Sequence, residues 1–298
     1  MQTIWRPKDI SEAWSIQNNL AEEYTYVSGG TWLRTQWEAD LLPMSPHLIS
    51  LESLNETKGI NETSLNGETM VFIGASTTLA SCITDPVVNT KVPLLAKACK
   101  NIAAPSIRNQ ATLGGNISIA TGDTLPALLV YDSYLKWFNG TNYEYERLED
   151  WLVSPLQNHR RILVAIMIPV TQTTQEGDFC FYTKIGRRET FTASVVTVAG
   201  VGERTKDGIF QHIKLAAGGG ASRTMKLALA AAKIENQPYS QQLLEQVNQT
   251  IAEEVIVKSD PFASSAYKKG VIANLISSEF YHLAQSKGGD PLAPRQES

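Results

Sequence analysis

The sequence predicts an α+β chain of two domains, and three features of its 298 residues lead there. Short extended runs and amphipathic helical runs alternate through the first part. Three extended runs then follow one another at 178–184, 192–203 and 209–217, with an Asp207-Gly208 turn, and only helical patterns come after them. Between these parts, Thr171 to Gly177 is polar and patternless, which makes it the best boundary. The expected division is 1–174 and 178–285. The first part splits into subdomains of about 1–55 and 56–174, and the Gly-, Pro- and charge-rich tail, 286–298, is expected to be disordered.

Taken in order, Asp9 to Tyr24 is expected to form one helix. Asp9 and Glu12 have capping-box spacing, and Ile10, Ala13, Trp14, Leu20, Ala21 and Tyr24 trace a face broken only by Gln17. Thr25–Ser28 and His47–Leu51 read as strands, giving a small parallel βαβ unit. Asn55–Glu68 is polar and reads as a link. Met70–Gly74 is a strand, Thr77–Cys82 a short helix start, and Val92–Ala103 a helix. Tyr134–Phe138 and Asn142–Arg147 flank Asn139-Gly140, a strong hairpin signal. Arg161–Pro169 is a buried strand ending at proline. The second domain should be a three-stranded antiparallel sheet backed by helices at Arg223–Glu235, Ser240–Glu253 and Ser264–Leu283.

Composition excludes several classes. A net charge of −4 with no basic stripe argues against nucleic acid. No apolar run reaches the ~18–20 residues that span a bilayer, and Met-Gln-Thr-Ile-Trp-Arg-Pro is no signal peptide. Cys82, Cys99 and Cys180 are scattered, without a Cys-x-x-Cys pair. They suit a reducing, cytoplasmic compartment and neither a zinc nor an iron–sulfur site. His47, His159, His212 and His282 form no ligand pattern, and no Gly-x-Ser-x-Gly elbow is present. The acid pairs Glu22-Glu23 and Glu253-Glu254 read as solvated helix ends. Gly200-Val-Gly202 and Gly218-Gly219-Gly220 do not complete a Gly-x-Gly-x-x-Gly fingerprint and read as turn and strand-end glycines. With no acid–base constellation, a bound cofactor is expected to carry the chemistry.

Two stretches suggest where that cofactor sits. Tyr26-Val27-Ser28-Gly29-Gly30-Thr31-Trp32-Leu33 reads as a loop whose N–H groups hold an anionic ligand, with the Thr31 hydroxyl beside them; the plain alternative is a surface turn. Thr112-Leu113-Gly114-Gly115-Asn116 places a glycine pair between apolar residues, where the backbone takes positive φ or a ligand comes close; the plain alternative is a β-bulge. Asp123 follows. Pro126 then opens an apolar helix that Asp123 or Thr124 can cap. Ile102 and Leu163 read equally well as core residues, and Lys184 as part of a solvated basic run.

Val27–Leu33, the string Arg108-Asn-Gln-Ala-Thr-Leu-Gly-Gly-Asn116 running on to Asp132, and Lys184 with Arg187-Arg188-Glu189 resemble the FAD-binding medium subunit of the xanthine dehydrogenase and carbon monoxide dehydrogenase family of molybdenum hydroxylases. The resemblance spans nearly the whole chain. It implies a two-subdomain FAD-binding domain of the vanillyl-alcohol-oxidase (PCMH) type, followed by the family's C-terminal α+β domain. It also implies that Thr112, Gly115 and Asn116 contact the pyrophosphate or ribityl chain of FAD, that Asp123 hydrogen-bonds flavin hydroxyls, and that Ile102 and Leu163 line the cofactor. Lys184 would reach back to the flavin ring. Partner chains would be a molybdopterin-binding large subunit, which hydroxylates a purine, aldehyde or other small molecule, and an iron–sulfur small subunit. Electrons would pass from these through FAD to NAD⁺ or another acceptor. A stand-alone flavin oxidoreductase would need its own base, for which there is no candidate. A paralogue that has lost FAD stays open, with Trp32 standing where relatives often carry a small or acidic residue.

Overall fold

In the computed structural model, three short strands pair in parallel. These are β1 (Thr3–Trp5), β2 (Tyr24–Val27) and β3 (His47–Ser50), in the order β1-β3-β2. The structure describes residues 2–20, 23–153, 160–170, 177–187, 193–220 and 222–285. Helix α1 (Ile10–Asn19) joins the first two strands and α2 (Thr31–Glu38) joins β2 to β3. Asp9 caps α1 by accepting from the Glu12 N–H at 2.8 Å. The helix stops sooner than its apolar stripe, because Tyr24 already belongs to β2. Gln17, the polar break in that stripe, is buried and fully used: Nε2 donates to the Arg160 carbonyl at 2.9 Å, and Oε1 accepts from the Tyr26 hydroxyl.

A second sheet is antiparallel, in the order β4-β5-β8-β6-β7. Its strands are β4 (Ile60–Leu65), β5 (Glu68–Gly74), β6 (Tyr134–Phe138), β7 (Tyr143–Arg147) and β8 (Ile162–Pro169). The expected link at Asn55–Glu68 is instead a 3-10 turn (Asn55–Thr57) and β4. β4 is an edge strand with a largely wet face, so Ile-Asn-Glu-Thr-Ser-Leu carries little apolar signal. Its Asn66-Gly67 turn, with φ of 52° and 85°, was the readable clue. β8 lies at the centre and is buried along almost its whole length, which explains its unbroken apolar run. Ile10, Ala13, Ile49, Leu54, Phe138, Ile162, Val164 and Ala165 form a core shared by α1, β3, β6 and β8. Each Ile, Leu, Val or Phe side chain among them contributes ~1.5–3 kcal/mol on full burial.

Between β5 and β6 run six short helices: α3 (Leu79–Thr84), α4 (Pro86–Lys91), α5 (Pro93–Lys100), α6 (Pro105–Arg108), α7 (Leu113–Ser118) and α8 (Leu125–Val130). The single helix expected over Val92–Ala103 is only Pro93–Lys100, with Asn101 closing it and Ala103 at φ 44°. α9 (Leu148–Val153) follows β7. Cys82 and Cys99, far apart in sequence, are buried neighbours; the hydrogen bond between their side chains, together with burial, pushes the Cys99 thiol well above its ordinary range.

The chain divides into two units, Met1–Thr124 with Tyr131–Val170, and Leu125–Val130 with Thr171–Ser298. In the second, β9 (Asp178–Gly186), β10 (Ser194–Arg204), β11 (Ile209–Gly218) and β12 (Met225–Lys226) form an antiparallel sheet in the order β12-β11-β10-β9. α8 lies on β10 and β11 of this sheet. α10 (Ala228–Ile234), β13 (Gln237–Pro238), α11 (Gln241–Glu254) and α12 (Ser265–Gln285) complete the unit. The helix expected from Arg223 begins only at Ala228, because Met225-Lys226 pairs with β11 first. Glu254, expected to be solvated, caps α10: its carboxylate accepts from the Leu229 and Ala230 N–H groups at 2.8 and 3.0 Å. Among the described residues no helix is long and apolar enough to cross a membrane. The 286–298 tail, Glu22, His159, Arg188, Glu189 and nearly all of Thr171–Gly177 lie outside the described residues.

Lys268 of α12 is fully buried, and Nζ donates to Asp260 Oδ2 at 2.5 Å and to the Lys258 carbonyl at 2.8 Å. Asp260 Oδ1 accepts from the Phe262 and Ala263 N–H groups. The bond from Lys268 comes first among the causes that hold the Asp260 carboxyl down at about 2. Asp260→Asn should therefore cost about 3 kcal/mol by stranding a buried ammonium, read as a lower Tm. A carboxyl with a depressed folded pKa stabilises fully above its ordinary 3.8 and loses that contribution as pH falls through about 2. Wild-type stability should show that acid limb and Asp260→Asn should lack it.

Candidate functional site

Three loops of the first unit meet at the ends of β2 and β5. The first leaves β2 as Ser28-Gly29-Gly30 and enters α2. The second, Asn109-Gln110-Ala111-Thr112, joins α6 to α7. The third, Ala75-Ser76-Thr77-Thr78, joins β5 to α3.

Backbone approach fixes how the first two meet. A Cβ at Gly29 would fall 1.9 Å from the Gln110 carbonyl oxygen, so only glycine lets these chains touch. Gly29 does not have positive φ; Gly30 does, at 66°. The third loop is tied to the second by Leu113 N–H to Thr77 O (2.9 Å), Gly114 N–H to Ala75 O (2.8 Å) and Leu79 N–H to Ala111 O (2.8 Å). Thr78 and Thr112 form an isolated β-bridge. A Cβ at Gly114 would lie 2.7 Å from the Ala75 oxygen. The Arg108 guanidinium closes the preceding turn, donating to the Ile102 carbonyl at 2.9 Å and to that of Ala103.

The two glycine motifs differ in their donors. Thr112–Asn116 was expected to be an open loop or bulge, and its glycines to have positive φ. Instead, Thr112 is the N-cap of α7, Gly114 and Gly115 are helical, and neither has positive φ. Two glycines in the first turn of a helix weaken it relative to alanine; at Gly114 the close fit against Ala75 requires glycine all the same. All four N–H groups from Leu113 to Asn116 are occupied, those of Gly115 and Asn116 by Thr112 Oγ1 (3.2 Å) and Thr112 O (3.0 Å). What this motif offers a ligand is the bare, exposed Cα of Gly115 and the Asn116 amide. Asn116 Oδ1 accepts from the Thr124 N–H (3.1 Å) and hydroxyl (2.7 Å), leaving Nδ2 as the donor.

The first motif is the reverse. Thr31–Leu33, expected in a loop, form the first turn of α2, and the left-handed Gly30 provides no side-chain cap. Among the described residues no acceptor meets the N–H groups of Gly29, Gly30, Thr31, Trp32 or Leu33; the helix's own ladder starts with Arg34 N–H to Gly30 O at 2.9 Å. Five adjacent open donors at a helix start form a ready anion site. Trp32 is 44% exposed, and Thr31 and Leu33 are half-buried. Val27 O accepts from Leu51 N–H at 2.8 Å, while Tyr26 anchors the strand through its bond to Gln17; burial pushes its phenol well above the ordinary range.

The remaining expected residues are placed as follows. Asp123 is half-buried one residue before Thr124. Ile102 is half-buried in the turn held by Arg108. Leu163 is buried on β8 opposite Trp137. Lys184 lies in the second unit on β9, opposite Thr197. The third loop was not expected to contribute. Its Ser28-like signal, a glycine and hydroxyl-rich run, Gly74-Ala-Ser-Thr-Thr78, directly after an apolar strand, was available.

Gly29→Ala should lower the Tm clearly, because the new methyl meets backbone that cannot yield. Gly115→Ala, whose Cβ meets only Thr112 Oγ1 at 3.0 Å, should melt within a few degrees of wild type. Thermal unfolding of the two variants checks both.

Residues 1–171 match the family described as the FAD binding domain in molybdopterin dehydrogenase, and residues 181–283 match the CO dehydrogenase flavoprotein C-terminal domain. The chain is 26% identical over 248 residues to the xanthine dehydrogenase FAD-binding subunit of Escherichia coli O157:H7, covering 82% of this chain and 83% of the relative. It is 36% identical over 132 residues to the carbon monoxide dehydrogenase medium chain of Hydrogenophaga pseudoflava, 42% of each chain. A solved carbon monoxide dehydrogenase from Hydrogenophaga pseudoflava superposes with a TM-score of 0.83 at 22% identity, covering 93% of this chain and 95% of that one, and so shares the fold. With more than half its length matched at the N-terminal end and the companion domain following in order, the chain belongs to the family of FAD-binding domains of molybdopterin dehydrogenases.

Proposed function

We propose that this chain is the FAD-carrying electron-transfer subunit of a cytoplasmic molybdenum hydroxylase. Its electrons come from an iron–sulfur subunit and leave to NAD⁺ or another acceptor. Substrate hydroxylation takes place on a separate molybdopterin-binding subunit. The observation that carries the reading is the run of five open N–H groups from Gly29 to Leu33, set against a second glycine motif whose own donors are already occupied. The names of the relatives, FAD-binding subunit and medium chain, point the same way.

Bound FAD supplies the redox chemistry, accepting electrons from one partner and releasing them to another. The chain's own residues bind and orient it. The α2 N-terminus and the Gly29–Leu33 amides hold the pyrophosphate. Gly115 lets the ligand approach bare backbone, with Thr112 fixing that helix and Asn116 Nδ2 donating beside it. Asp123 accepts from cofactor hydroxyls. Ile102 and Leu163 give apolar contact.

The absorption spectrum of the purified chain, and its titration with FAD, test the reading. Flavin bands and a Tm raised by added FAD are expected. Gly115→Val should fold yet purify without the yellow colour, because its side chain occupies the ligand's approach. A wild-type chain that stays colourless and unshifted by FAD would instead mark a paralogue that has lost the cofactor. Reduction of the bound flavin by a small substrate, with no other subunit present, would mark a stand-alone oxidoreductase.

A further inference from the structure

One lysine of the first unit is surrounded by aromatic rings instead of carboxylates. Lys136 lies in the middle of β6, directly opposite Tyr145 on β7 and Ala165 on β8. It is half-buried. Its Nζ sits 4.3 Å from the centre of the Tyr143 ring, 5.8 Å from that of Phe72 and 6.0 Å from that of Tyr145. Among the described residues it makes no hydrogen bond and no ion pair. The acids of β7 lie elsewhere: Glu144 and Glu146 stand opposite Trp137 and Leu135, on the other face of the sheet, and both engage Arg161. Glu56 acts on the Tyr143 phenol, and its Oε1 accepts from the Ile10 N–H at 3.3 Å. β7 is an edge strand on which Tyr143 and Tyr145 are both exposed, so the cage is open to small molecules.

Ring faces attract an ammonium, but they do not replace the water its three N–H groups lose on burial. Burial lowers the Lys136 pKa, and no carboxylate offsets it. A neutral ε-amine is a nucleophile toward carbonyl carbon. A carbon added to this nitrogen displaces no hydrogen bond and packs on the rings. We propose that Lys136 is a covalent modification site for small aldehydes, its Nζ forming an imine between the rings of Phe72, Tyr143 and Tyr145. The nitrogen lone pair adds to the carbonyl carbon. Both amine protons end on the carbonyl oxygen, which leaves as water. One proton from solvent makes the imine a cation again, and the rings hold it as they held the ammonium. Hydrolysis reverses the step, and no oxidant or reductant is consumed. The site lies outside the glycine motifs and does not depend on their reading as an FAD cradle.

The test treats the full-length protein near neutral pH with limiting, isotopically labelled formaldehyde and cyanoborohydride, which fixes each imine as an N-methyl group. Peptide mass mapping reads the rate at each lysine, and carbon NMR reads the environment of each new methyl. Lys136 should take up label several-fold faster than the exposed Lys91, Lys97 and Lys100. Its methyl signal should lie upfield of theirs, shifted by the Tyr143 ring, and Lys136→Arg should delete that signal. Tyr143→Ser opens the cage to water and should bring the rate down to that of the exposed lysines and remove the upfield shift. Tyr145→Ser, which leaves the Tyr143–Phe138 contact in place, should slow labelling with a Tm within about 2 °C of wild type. A Lys136 that labels no faster than the exposed lysines overturns the proposal. So does fast labelling that both tyrosine variants leave unchanged, since the rings would then have no part in it.

Discussion

Everything in the candidate site depends on one main-chain contact, that of Gly29 with the Gln110 carbonyl. It lets two segments some eighty residues apart lie against each other without a side chain between them. The first turn of α2 and the first turn of α7 then share one region of the first unit. Gly114 against Ala75 repeats the device on the other side and brings in the β5–α3 loop. A methyl group at either position would push a loop outward and separate the α2 and α7 N-termini.

The two glycine motifs look alike as strings but differ in their hydrogen bonds. α7 is complete by itself: Thr112 caps it, and the third loop takes the N–H groups of Leu113 and Gly114. α2 is incomplete, starting at a left-handed glycine with no side-chain cap. An eight-residue surface helix with no buried residue gains little from packing, and its Arg34–Glu38 pair is solvent-exposed and screened, so it adds little. Leaving its N-terminus uncapped costs stability. The rigid motif holds the geometry and the open motif holds the charge.

The second unit obeys separate constraints. Its sheet is backed by α10, α11 and α12 around a core that includes Phe179, Phe181, Phe210 and Phe280, the last in edge contact with the other three. The Lys268–Asp260 pair locks the start of α12 to the loop before it. Glu254, at the end of α11, replaces the missing cap of α10. Each is a long-range satisfaction of a buried or terminal polar group, and none has a local sequence signature.

The elements with strong local chemistry were legible in the chain. The Asp9 cap, the Asn139-Gly140 hairpin, the all-apolar β8 and the Asp207-Gly208 turn each carry their own physical signal, and together with the glycine motifs they specify the fold class and which loops can come into backbone contact. β4 was hidden because an edge strand can be polar, and α7 because two glycines argue against a helix until Ala75 packs on Gly114 and Thr112 caps the turn. The run Leu125–Val130 is buried on all sides, so it has no amphipathic face to say which sheet it joins; the structure sets it on β10 and β11. The sequence by itself determined where bare backbone can come into close contact, at its glycine motifs. Which of those residues keep open donors was decided only by the tertiary structure, because an N–H group is open or occupied according to what the distant chain brings against it.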